Sequence, residues 1–137
     1  MHMMRNVLPL LSLATMSIVL PFTAHAENRV FELRTYTAAE GKLPELAARF
    51  RDHTTRIFKK HNMEVVGYWI PEDPEKSKNT FVYILAFPSR AAADKSWADF
   101  QADPEWKKVA AESEANGKLV LKVDRLFLDP TSFSPLK

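Results

Sequence analysis

No cysteine occurs in the 137 residues, which excludes disulfide scaffolds, zinc ribbons, iron–sulfur clusters and thiol catalysis. Only 3 glycines are present, too few to build a glycine-rich phosphate cradle, and there is no GxGxxG or P-loop. Charge of one sign is missing too. Lys and Arg number 19 against 17 Asp and Glu, interspersed, so no broad field exists to grip nucleic acid or an anionic membrane. Neither a Ser/His/Asp arrangement, an internal repeat nor a low-complexity block is found. What remains, 46% hydrophobic and 26% charged residues, suits one globular domain.

The one long apolar run is Val7–Leu20. It follows a single cation, Arg5, and is bracketed by Pro9 and Pro21. It falls short of the roughly 20 residues a membrane-spanning helix needs. With the small-x-small tripeptide Ala24-His25-Ala26 after it, the segment 1–26 reads as a secretory signal peptide cleaved after Ala26; the alternative is an uncleaved anchor or buried helix. The expectation is an exported protein, periplasmic or secreted. Residues 27–137 form its mature domain, which does not insert in the membrane once the signal is removed.

Along that domain, Arg29–Tyr36 alternates as a strand, with Phe31, Leu33 and Thr35 on a greasier side and Glu32, Arg34 and Tyr36 on the other. After Gly41, apolar residues from Leu43 to His61 recur at helical spacing, with Pro44 in the first turn and Arg49 assigned to the polar side. Asn62 ends this helix. Met63–Ile70 reads as a second strand, residues 71–79 as a polar loop, and Thr80–Phe87 as a central strand apolar on both faces. Ser89 opens a second helix with Ala93, Trp97 and Phe100 on one stripe. Asp103-Pro104 caps and starts a third, closed by Asn116-Gly117. Lys118–Leu128 is the last strand, followed by a tail to Lys137. The order predicts an α+β, ferredoxin-like split β-α-β fold with a four-stranded antiparallel sheet covered by helices on one face. If Phe81, Tyr83, Leu85 and Phe87 face the helices, then Val82, Ile84 and Ala86 are left on the bare side. The simplest cover is a twofold copy, sheet against sheet, giving a homodimeric α/β-barrel.

Phe31-Glu32-Leu33-Arg34-Thr35-Tyr36 with Gly41-Lys42-Leu43, then Val66-Gly67-Tyr68-Trp69, then Ala102-Asp103-Pro104-Glu105-Trp106, and finally Phe133-Ser134-Pro135, together resemble the NIPSNAP family from Arg29 to Pro135. The resemblance implies a dimeric α/β-barrel related in fold to cofactor-free monooxygenases and some haem proteins; it implies no agreed chemistry. The loop 71–79 departs from it, being longer and more charged than in many members.

Candidate site residues follow from chemistry. Arg34, flanked by Glu32 and Tyr36, is suited to hold a carboxylate or enol through its forked donors; the alternative is an ion pair across the dimer seam. His53 and His61 lie about two helical turns apart, the wrong spacing for a metal pair, so no metal is expected. Neither is a cofactor expected: His53 is the likelier haem ligand, but no motif supports haem. Tyr68, Tyr83 and Trp97 line either a core or a flat apolar pocket. Two functions stand. One is a homodimer binding a small hydrophobic or aromatic ligand through Arg34, Tyr36, His53, Tyr68, Tyr83 and Trp97. The other is a cofactor-independent monooxygenase or isomerase acting on an activated aromatic or enolic substrate. There Arg34, Tyr36, Tyr68 and His53 would supply the polar groups.

Overall fold

Four antiparallel strands make one sheet in the order β2-β3-β1-β4 in the computed structural model, which describes residues 28–137. The expected signal segment 1–26 lies outside the described residues. The strands are β1 (Val30–Ala38), β2 (Glu64–Trp69), β3 (Thr80–Phe87) and β4 (Val120–Leu128). Each is a run of β-branched and aromatic residues between turn signals, as the alternation predicts. Gly41 (φ 71°) and Asn62 (φ 58°) take the left-handed backbone at the two ends of the first helical stretch. That position tolerates glycine or asparagine and penalises most other side chains.

The stretch between them is not one regular helix. It runs as α1 (Leu43–Arg49), a π-helical turn (Phe50–Thr54) and α2 (Thr55–Lys60). Leu43, Leu46, Phe50, Thr54, Ile57 and Phe58 stay buried along it. Arg49 overturns its assignment to the polar side: only 7% of it is exposed. It sits on the flank of the stripe, and α4 (Pro104–Ser113) covers that flank, a neighbour that helical periodicity does not reveal. α3 (Arg90–Ala102) opens on Ser89, whose hydroxyl accepts from the Ala92 amide at 3.1 Å. α4 opens on Asp103, which accepts from the Glu105 amide at 2.9 Å with Pro104 in its first turn. Both caps satisfy helix-end donors, as the sequence implies.

The helices cover the face carrying Phe81, Tyr83, Leu85 and Phe87, all buried. Phe50, Phe58, Tyr83 and Phe100 tile this core with ring centroids 5.0–5.9 Å apart where they meet. The opposite face holds Phe31, Leu33 and Thr35 of β1, in register with Ala86, Ile84 and Val82 of β3 and with Leu128, Leu126 and Asp124 of β4. Among the described residues, no helix lies on it. Leu126 (57% exposed) and Trp69 (49%) are open to solvent there. The tail folds back over one end of this face, where Arg29 Nε donates to the Lys137 carbonyl at 2.6 Å. Among the described residues, no helix is long and apolar enough to cross a membrane.

Candidate functional site

β1 alternation delivers Glu32, Arg34 and Tyr36 to the covered face, beneath the helices. The ion-pair alternative across a dimer seam is therefore corrected: the polar side of β1 is the inner side, and the greasy side is the bare one. A strand in a one-sided sheet must choose one face for its polar residues. Here the chain hides them, and they bond to one another and to Trp97 and Tyr83. Glu32 is 0% exposed. Its Oε1 accepts from Arg34 Nη1 at 2.9 Å, and its Oε2 accepts from Trp97 Nε1 at 2.6 Å. Arg34 Nη2 donates to the Tyr36 hydroxyl at 3.2 Å, and the Tyr83 hydroxyl donates to the same oxygen at 2.9 Å. The Trp97 ring lies 4.2 Å from the guanidinium carbon, a cation–π lid over the ion pair.

The donor count in this cluster does not close. Two phenols share one bond, so one phenolic hydrogen is left without an acceptor. Arg34 Nε is buried and has no partner among the described residues. Register then places Arg34 directly opposite Arg125 of β4. Two like charges side by side on one sheet face are unfavourable, and Arg125 has no ion pair among the described residues. Burial works most strongly against the Arg34 charge, but the oxygens of Tyr83, Tyr36 and Glu32 outweigh it and hold the group above its ordinary range. Burial likewise pushes the Tyr83 phenol well up, with Tyr36 adding to it, so it remains a proton donor.

The other candidates fall elsewhere. Tyr68 belongs to the same core, with its ring 5.9 Å from that of Tyr83. Its hydroxyl, though, bonds Thr55 Oγ1 at 2.7 Å, away from Arg34, and burial raises its pKa. His53 is exposed at the rim of a separate cleft. His61 reaches the α4 cap, with Nε2 2.7 Å from Asp103 Oδ2. Among the described residues no group of three or more His, Asp or Glu is placed to hold a metal ion. The structure thus brings Arg34, Tyr36, Tyr83 and Trp97 together, turns the Tyr68 hydroxyl away from them, and places His53, which the sequence reading groups with them, in a separate cleft. Sequence reasoning misses Arg49 and Arg125. Arg125 carries no sequence signal of its own, since Lys122 and Asp124 are charged neighbours in the same strand, Val120–Leu128.

The NIPSNAP family model matches residues 31–135. A NIPSNAP family protein of unknown function from Agrobacterium tumefaciens superposes with a TM-score of 0.70 at 29% identity, over 83% of this chain and 97% of that one. An uncharacterised NIPSNAP-like domain protein from Burkholderia xenovorans gives 0.68 at 21% identity, over 79% and 90%. SnoaB, a cofactor-independent oxygenase from Streptomyces nogalater, gives 0.52 at 16%, over 79% and 98%, a likeness of fold. No curated protein matches significantly. With the family model spanning nearly the whole described domain, and the sheet order and helices shared with solved members, this chain belongs to the NIPSNAP family.

Proposed function

We propose that this NIPSNAP domain works as an exported homodimer that binds a small aromatic or hydrophobic molecule carrying an acidic group, a carboxylate or an enolate. The carrying observation is the surplus of donors on the covered face: a buried Arg34 with a free Nε and a spare phenolic hydrogen, beside which stands the exposed Arg125. An acidic head supplies the missing acceptors, and charge-assisted bonds to guanidinium are the strong kind. Tyr36, Tyr83 and Trp97 supply flat apolar contact. The cluster is close-packed, so the ligand enters by swinging the half-buried Trp97 off the guanidinium. Dimerisation is supported by the bare apolar sheet face, and export by the signal-like segment.

Calorimetric titration with benzoate and with benzyl alcohol tests the binding reading. Benzoate binding that is lost in the charge-free pair Glu32→Leu/Arg34→Met, together with no binding of the neutral alcohol, supports it. Equal binding of both compounds, or retention in that double variant, refutes it. The oxygenase reading draws on the same guanidinium and phenols as groups that hold an enolate, and on the shared fold with a cofactor-independent oxygenase. It requires oxygen uptake with an electron-rich naphthol in the absence of added metal or flavin. Binding without uptake leaves a binding protein. Native mass spectrometry of protein from its own host, searching for retained ligand or haem, bears on both readings.

A further inference from the structure

On the helix layer, away from the Arg34 cluster, a cleft of about 400 Å³ runs between α1 with its π-helical turn and α4. That volume lies within the usual range for small-molecule sites. Arg49 forms its floor. The side chain is 6% exposed, its Nη1 donates to Ser113 Oγ at 3.3 Å, and its buried Nε has no partner among the described residues. Glu114 stands 3.8 Å off and half-exposed, too far for a hydrogen bond. Burial depresses the Arg49 pKa, with Tyr36, Glu114 and Tyr83 opposing it. A guanidinium remains charged in any protein, so this one is a buried cation paired only loosely with Glu114, without a hydrogen bond to it.

The remaining walls are of a different character. Val109 and Leu119 are apolar, while Glu45 and Glu112 are exposed carboxylates at the mouth. Their lysine partners, Lys42 and Lys108, are surface ion pairs of the kind that contribute little. The cleft therefore has a cation at its base, Val109 and Leu119 as apolar contacts among mainly polar walls that include Asp52, His53 and Asn116, and negative charge at its rim.

We propose that this cleft is a second binding site, separate from the Arg34 cluster, for a zwitterion of amino-acid size with an apolar side chain. Its carboxylate bonds Arg49, taking the place of the long Ser113 contact and reaching the free Nε. Its ammonium sits between Glu45 and Glu112, and its side chain lies against Val109 and Leu119. A simple anion is disfavoured by the rim and a simple cation by the floor, so the site selects molecules that carry both charges.

The test is calorimetric titration of the full domain with L-phenylalanine, 3-phenylpropionate and phenethylamine. L-Phenylalanine binds, and each compound lacking one charge binds about tenfold more weakly or worse, the scale of a lost charge-assisted hydrogen bond. Arg49→Gln abolishes binding of L-phenylalanine. The double variant Glu45→Gln/Glu112→Gln, on exposed positions that do not endanger folding, lowers affinity for L-phenylalanine and raises that for 3-phenylpropionate, so that the two converge. Glu32→Leu/Arg34→Met, which keeps the fold but removes benzoate binding, leaves L-phenylalanine binding intact, which keeps the two sites distinguishable. Absence of L-phenylalanine binding overturns the proposal. So does equal affinity for all three compounds, or indifference to the Glu45/Glu112 change.

Discussion

Neutralising Glu32 is the sharpest test of how the covered face is held together. The carboxylate is wholly buried and touches two donors, Arg34 at 2.9 Å and Trp97 at 2.6 Å. Glu32→Gln keeps the shape and one acceptor for the indole but turns an amide toward the guanidinium. Arg34 is then left buried, next to Arg125, with no counter-charge. Breaking one member of a buried pair costs about 3–5 kcal/mol, a large part of the stability of a domain this size. With a urea slope of about 2 kcal/mol/M, a loss of about 3 kcal/mol lowers the unfolding midpoint by about 1.5 M. Glu32→Leu/Arg34→Met removes both charges together. It is expected to lie within about 1 kcal/mol of the parent, since an apolar pair of similar volume does as well as a buried ion pair. Urea unfolding of the parent, Glu32→Leu, Arg34→Met and the double variant, followed by circular dichroism, closes a cycle that isolates the coupling. A Glu32→Gln midpoint within about 0.3 M of the parent, with the slope unchanged, would show that the guanidinium is solvated after all and sink the donor-surplus reasoning. A stable double variant that has lost benzoate binding is the outcome that separates a functional ion pair from a structural one.

Two further outcomes follow from other parts of the molecule. Leu126→Asp places a charge on the bare sheet face, on the edge strand β4, where Leu126 is 57% exposed and pairs with Leu33. It should convert a dimer into a folded monomer by light scattering at micromolar concentration, and a wild-type monomer would overturn the dimer reading. Asp103 is held below the ordinary carboxylate pKa by Lys60, then His61, then the Glu105 amide. A group depressed in the folded state contributes stability above its unfolded pKa near 3.9, and that stability is lost as pH falls through the folded value. Melting temperatures at pH 7 and pH 3 should therefore differ less in Asp103→Asn than in the parent. An unchanged difference would mean that the cap carries no part of the acid response.

The strands, the two capped helices and the left-handed stop at Asn62 are legible in the chain because each is a local event: alternation, a cap residue, a tolerated backbone angle. The two-faced apolar character of β3 is equally local and correctly places Tyr83 toward the helices and Ile84 away from them. The arginines are another matter. Arg49 reads as a solvated residue until α4, more than fifty positions on, closes over it. Arg125 acquires meaning only when register sets it beside Arg34 across β1 and β4. Periodicity tells which way a side chain leaves its own backbone, whereas charge pairing, donor surplus and clefts depend on what a distant segment brings to the same spot.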